Sequence, residues 1–419
     1  MNRDLSGTGG RAAAPRSRGA WPVLAALVLA LGLSACGTTP TAPPAPTGPP
    51  QLAGRPLGDT FVAVSGSGFP ASAATSVTGT TPQGATTFTV TTDASGQFGA
   101  SFPVPDGYRG PLDVRATAGS AAATAQVDAG AGGQGVEEPG VRPLKDVRCT
   151  AEADVDDAPS ASPGDTVCLT GRSDQRLKIT TGGQPGAPVT YSGGGDATVA
   201  GIEVTADHVV VEGFVAKDAR SAGARLQGND ITFRDNRIDH PVNDGDDTDG
   251  MRFFGDDITI LHNTITDVSD GSDCGDDGCG DGPHPDCMQS FYSNTYPTSS
   301  HVLIEGNRCD DIAAQCLIGE GPQLPSEGVN GPGASTDWTF YNNYCNTQAA
   351  QSVLFKNVTN TTIVGNRFDG RNNKAIVLDY ASTGAHVGGN ELGPKTPKMI
   401  TFDDDESAEG YIGPKPDEG

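Results

Sequence analysis

The chain has 419 residues, room for two or three domains and ample length for a sizeable core. Its formal net charge of -25 repels polyanions, which argues against nucleic acid as a partner but leaves open an anionic glycan met by a local basic patch. Nine cysteines in such a chain point to an oxidising compartment, provided the rest of the sequence agrees.

The N-terminus agrees. Arg3, Arg11, Arg16 and Arg18 precede the apolar run "WPVLAALVLALGL", which closes in "LSAC". A basic n-region, a short apolar core and small residues before a cleavage point describe an export signal over residues 1–35. "LSAC" resembles a bacterial lipobox, which implies lipidation of Cys36 and a membrane anchor facing the extracytoplasmic side. The Pro-rich "TTPTAPPAPTGPP" then reads as a tether through residue 50.

Residues 51–130 hold short Val-, Thr- and Phe-rich runs, such as "TFVAVSGSGF", "ATTFTVTTD" and "PLDVRATA", broken by Gly, Pro and Asp. Alternation with regular turn signals predicts a small antiparallel β-sandwich. "VSGSGFP" and "TTDASGQFGASFPVP" resemble the Ig-like modules of bacterial surface proteins. The Gly-rich stretch over 131–143 reads as a linker.

Beyond it a repeat runs through residues 144–400. "ITFRDNRI", "ITILHNTI", "VLIEGNRC", "WTFYNNYC", "TTIVGNRF" and "AHVGGNEL" share a strand, an Asn and a further apolar position. The Asn residues are Asn236, Asn263, Asn307, Asn343, Asn366 and Asn390, and Phe214 of "VVVEGF" takes that place one repeat earlier. A period of this length with two or three short strands per repeat predicts a solenoid whose coils bury one another's faces, with the Asn amides bonding from coil to coil. The repeat resembles the right-handed parallel β-helix of the pectate-lyase-like superfamily, so the fold class is all-β. Residues 401–419, rich in Asp and Glu, read as an acidic tail.

A second strand follows each Asn. "DGMRFF", "DCMQSF", "QCLIGE", "QSVLFK" and "KAIVLD" align without gaps, and "AGARLQ" from Ala222 matches them one coil earlier. Alternation turns Met251, Met288, Leu317, Val353 and Ile376 inward, with Phe253, Phe355 and Leu378 two places on. It turns Gly250, Arg252, Cys287, Gln289, Cys316 and Ser352 outward. Stacked positions in adjacent coils then suggest disulfides Cys287–Cys316 and Cys309–Cys345, with Cys149–Cys168 and Cys274–Cys279 closing short loops.

Between Asp239 and Asp286 lie fourteen Asp, no Glu and one basic Lys or Arg, Arg252. Short carboxylates in Gly-rich turns suit Ca²⁺. "DTDGMR" places Asp247, Asp249 and Arg252; one coil on, "HPDCMQ" places His284, Asp286 and Gln289 at the same positions. Two carboxylates on neighbouring backbones share a proton or a cation, or else each caps the turn of its own coil. "DTDGM" resembles the Asn-Thr-Asp-Gly motif of the polygalacturonase family, with Asp249 at the matching Asp; Asp247 stands where that family has Asn, and Arg252 where it has a further Asp.

Two chemistries fit these residues. In a glycoside hydrolase Asp249 and Asp286 divide the acid and base roles; in a polysaccharide lyase Asp247, Asp249 and Asp286 hold Ca²⁺ while Arg252 or His284 takes a proton from C5 of a uronic acid. Gln289, Lys356 and Lys374 are candidate contacts to the polysaccharide. A surface lipoprotein that binds glycan without cleaving it is the alternative, and a monomer is expected.

Overall fold

The computed structural model describes residues 48–58, 61–92, 96–105, 107–129, 138–145, 147–157, 160–242, 248–269, 285–322 and 335–413. Cys36, Asp247, Cys274, Cys279 and His284 lie outside them.

Residues 51–128 form two antiparallel sheets. Gln51–Leu57, Phe61–Ser67 and Phe98–Pro103 make a three-stranded sheet, and Ala74–Thr81, Gly84–Thr91, Pro111–Ala118 and Ala121–Asp128 a four-stranded one. Alternate residues turn inward, and Val62, Val64, Val77, Phe69, Phe98, Phe102, Leu112 and Val114 pack between the sheets.

The rest is a right-handed parallel β-helix with three strands per coil. One strand of each coil joins a nine-stranded parallel sheet, here the front sheet: Leu177–Ile179, Ile202–Val204, Ala224–Gln227, Met251–Phe254, Met288–Phe291, Leu317–Glu320, Gln351–Lys356, Lys374–Asp379 and Ile400–Phe402. Ala224, Met251, Met288, Leu317, Val353 and Ile376 are register partners in succession, and the last five are fully buried as expected. Phe253, Phe355 and Leu378 are likewise buried. Between the two phenylalanines that inner row holds only Ser290 and Gly319, and Trp338 from another strand fills the space, its ring 5.4 Å from Phe253 and 5.6 Å from Phe355.

The Asn residues form the ladder the repeat implies. The backbone N–H of Asn236 donates to Oδ1 of Asn263 at 2.9 Å, and the same bond recurs from Asn263 to Asn307, Asn307 to Asn343, Asn343 to Asn366 and Asn366 to Asn390. Phe214, which has no amide to extend the ladder, donates its N–H to Asn236 and ends it. A second column sits around the start of the strand that leads to each ladder position: His208, Asp230, Asp257, His301, Asp337 and Asn360 all have φ between 52° and 61°. Asp, Asn and His are among the residues that tolerate this left-handed conformation, which explains their recurrence there.

The cysteine pairing differs from expectation. Cys149 joins Cys168, but Cys287 joins Cys309 and Cys316 joins Cys345. The same columns supply the cysteines but the partners differ: Cys309 and Cys345 are register neighbours, yet in-register parallel strands keep their Cβ atoms about 4.8 Å apart, wider than a disulfide's usual 3.5–4.5 Å. Nor do Cys287, Cys316 and Ser352 point outward; all are fully buried. They lie where the chain enters the front strand, Cys287 and Cys316 just before it and Ser352 at its second residue, and where it turns in toward the third strand of the coil. In earlier coils Gly223 and Gly250 hold these places, each packed so closely on Ile238 or Ile265 that a Cβ would collide with it. Where both columns carry Cys, the same approach becomes a bond that closes one coil on itself.

Two segments are more ordered than their composition suggested. Gly140, Val141 and Arg142 donate backbone N–H groups to Gly306 O, Thr264 Oγ1 and Asp235 Oδ1, so the stretch after the sandwich crosses three coils back toward the start of the solenoid. Residues 401–413 are no free tail: Ile400–Phe402 is the ninth front strand, the short helix Asp405–Glu409 follows, and Phe402 and Tyr411 pack on the core.

Candidate functional site

The outer face of the front sheet carries a row of register partners: Lys178, Glu203, Arg225, Arg252 and Gln289, followed by Ile318, Leu354, Val377 and Thr401. Its first half is polar and its second mainly apolar, with Ile318, Leu354 and Val377 clustered together. Successive members lie about 4.8 Å apart.

Arg252, between Arg225 and Gln289 in the polar half, has its side chain 11% exposed, and its Nε donates to Oδ2 of the fully buried Asp249. Its guanidinium lies 6.0 Å from the ring centre of Phe291. Phe291 belongs to an aromatic trio in which Phe254 stacks on Tyr296 at 4.0 Å and Phe291 meets both edge-on. Gln289, one coil on, is 7% exposed, and its Oε1 has no hydrogen-bond partner among the described residues.

The structure brings Asp249 and Asp286 together, but not as a pair of acids facing the groove. Both are fully buried at the turn entering the strand. Asp249 Oδ1 accepts the backbone N–H of Asp286 at 3.1 Å, and Asp286 Oδ1 accepts that of Gln315 at 2.8 Å. They continue from coil to coil as the Asn ladder does, because any Asx side chain at this turn can reach the next coil's N–H. Two carboxylates so placed do not meet a glycosidic bond, and the two-carboxylate hydrolase expected of them is not built here. Asp247, the third residue expected to hold Ca²⁺, lies outside the described residues; of the other two, three of the four carboxylate oxygens accept from N–H groups, one of them on the Arg252 guanidinium. Among the described residues no group of three His, Cys, Asp or Glu side chains forms a metal site.

Lys356 and Lys374 lie on later coils and are committed elsewhere. Lys356 Nζ is 2.7 Å from Glu320 Oε1, and Lys374 Nζ is 3.6 Å from Asp403 Oδ1. Sequence reasoning missed Arg225, although the alignment of "AGARLQ" with "DGMRFF" sets it directly beside Arg252. Tyr296 comes from the insertion after the strand, and no periodicity could have placed it.

A second titratable group lies where the sandwich meets the solenoid. His301 sits between Asp257 at 3.5 Å and Asp337 at 3.4 Å, its neighbours in the left-handed column. Burial pushes the imidazole down, but its bonds to Asp257 and Asp337 outweigh that and raise it to about 10. Burial pushes the Asp337 carboxyl up, with His301 holding it down in part. These groups line a cleft of about 570 Å³ together with Arg55, Gln97 and Asn360.

The family model described as "Right handed beta helix region" matches residues 200–392, which agrees with the coils seen here. No curated protein matches the sequence. Among solved structures the chain is similar to a mannuronic acid specific polysaccharide family 6 lyase from human gut microbiota, at 14% identity and TM-score 0.42, over 60% of this chain and 67% of that one. It is also similar to an alginate lyase from Paenibacillus sp. str. FPU-7, at 15% identity and TM-score 0.37, over 61% and 99% of the two chains. A pectate lyase from Xanthomonas campestris matches at 13% identity and TM-score 0.34, over 64% and 81%. The fold assignment rests on the coil register and the family match.

Proposed function

We propose that the protein is an exported enzyme acting on an anionic polysaccharide laid along the polar half of the front-sheet row, with β-elimination as its reaction. The observation that carries this reading is the Asp249–Arg252 pair: a guanidinium oriented by a buried carboxylate, beside Arg225 and Gln289, on an outward face. In a chain of such negative charge, two stacked guanidinium groups with a planar fork suit the carboxylates of consecutive uronic acid residues.

Arginine stays charged in proteins, so Arg252 serves better to neutralise the uronate carboxylate, which acidifies the C5 proton, than to remove that proton. We therefore assign the base to His284, two residues before Asp286 in the sequence. Removal of the C5 proton delivers its electron pair to a new C4–C5 double bond, the C4–O bond breaks, and the departing oxygen takes a proton. Phe254, Phe291 and Tyr296 offer an aromatic surface beside the guanidinium.

Three disulfides and the lipobox-like "LSAC" support an exported protein anchored at Cys36, with the sandwich as an Ig-like spacer. A second reading, glycan binding without turnover, is favoured by the commitment of both Asp249 and Asp286 to backbone N–H groups. Incubating the mature protein with a panel of uronic and neutral polysaccharides separates the readings. Ultraviolet-absorbing unsaturated ends mark a lyase; reducing ends without them mark a hydrolase and refute the elimination; retention of a uronan without product marks a binding protein.

A further inference from the structure

The sandwich precedes the solenoid in sequence but sits on its later coils. Thr362 and His386 are register partners on adjacent coils and face outward, since Ile363 and Val387 between them join the solenoid core. Ser101 of the sandwich lies 2.8 Å from the Thr362 hydroxyl, and Arg55 pairs with Glu305 at 2.9 Å. Leu57 and Phe61 pack with Val364 in an apolar cluster of their own, and Phe61 lies against Gly388.

At the middle of this seam is a histidine. His386 is 4% exposed, and its ring meets Phe61 edge-on at 6.0 Å and Phe88 at 5.7 Å. Neither ring nitrogen has a hydrogen-bond partner among the described residues. The ring is packed against aromatic side chains of the sandwich, and no described group is placed to take up a proton's charge on it.

We propose that His386 makes the seating of the sandwich on the solenoid acid-labile, so that protonation of this buried ring releases the sandwich from the last coils. Burial alone lowers the imidazole to about 4, with no charged neighbour contributing. The Tyr411 hydroxyl, bonded to the backbone of Val387 and pushed up to about 12 by burial, stays neutral throughout. Among the described residues the seam also carries the Arg55–Glu305 pair and His301 between Asp257 and Asp337. His301, raised to about 10, keeps its proton across the acid range. Asp337, raised by burial, acts in the opposite sense, because the docked form takes up its proton more readily than a released one.

The sign follows from linkage. A released sandwich returns His386 to water and to an ordinary imidazole affinity, so below about pH 6.5 the released form binds the proton that the docked form refuses. Docking is at full strength above that pH and weakens as pH falls toward 4. For this residue alone the release equilibrium grows about thirtyfold between pH 7.5 and pH 5.

Hydrogen exchange read by mass spectrometry on the full mature chain tests this, with rates corrected for the intrinsic pH dependence. Peptides covering 57–66, 84–91 and 385–390 should lose protection at pH 5, by up to about thirtyfold where Asp337 does not offset it, while 258–265 in the solenoid core does not. His386→Phe should keep the seam protected at both pH values. Unchanged seam protection in the wild type, or an equal loss in His386→Phe, overturns the proposal. Should the variant not fold, the His386 ring resonance in the wild type decides: a titration midpoint near 4 supports it, and one near 6.5 refutes it.

Discussion

Replacing Asp249 separates its two duties, because each of its oxygens does a different job. Oδ1 accepts the N–H of Asp286 from the next coil, and Oδ2 holds the Arg252 guanidinium. Asp249→Ala removes both. The orphaned, buried N–H costs about 1–3 kcal/mol. Breaking a buried ion pair costs about 3–5 kcal/mol, at the low end here because Arg252 faces outward and can reach water. The two overlap, and a total of about 3–5 kcal/mol is expected for Asp249→Ala. Asp249→Asn keeps an oxygen for the Asp286 N–H and loses only the charge, so it should cost about 1–3 kcal/mol. Urea unfolding at constant m-value measures the difference of roughly 2 kcal/mol between the variants. Both should lose turnover on a uronan, since neither holds Arg252 as the carboxylate does. Equal destabilisation by Asn and Ala would refute the coil-to-coil bond, and full activity in Asp249→Asn would refute the role given to the ion pair.

Asn307 accepts from the N–H and amide of Asn263 and donates to Ile260 O and Asn343 Oδ1, all within 3.0 Å, so Asn307→Ala should cost about 3–5 kcal/mol in denaturant unfolding. Asn307→Asp should be worse, because a carboxylate would then face three acceptors, Glu305 O among them. Non-reducing peptide mapping should recover Cys287 with Cys309 and Cys316 with Cys345; replacing both Cys287 and Cys309 by Ser should lower stability by about 2–4 kcal/mol. His301, raised to about 10, contributes stability that is complete below pH 6.5 and is lost as pH rises toward 10; thermal melts of His301→Gln should lack that alkaline decline. Arg225→Gln should weaken binding to an anionic glycan and flatten its salt dependence while leaving the melting temperature nearly unchanged, as titration at two salt concentrations would show.

Much of this protein is legible in one dimension. Period-two alternation and a recurring Asn determine the solenoid, because a coil that cannot bury its own face must place like residues over like. From that alone the inward rows Met251 to Ile376, the stacking of Asp249 on Asp286 and the ladder through Asn307 follow without the tertiary structure. Register, however, specifies only which residues are neighbours along the axis. It does not say how the chain turns between the strands of one coil, and that turn carries Cys287 inward to Cys309 and buries the two carboxylates. The same limit applies to the seam: nothing in the alternation of "AHVGGNEL" distinguishes an outward histidine in water from one capped by phenylalanines more than two hundred residues earlier. The repeat period sets contacts between coils because they are a local pattern repeated; closure within a coil and docking between modules depend on the path of the chain in three dimensions, and only the tertiary structure decides them.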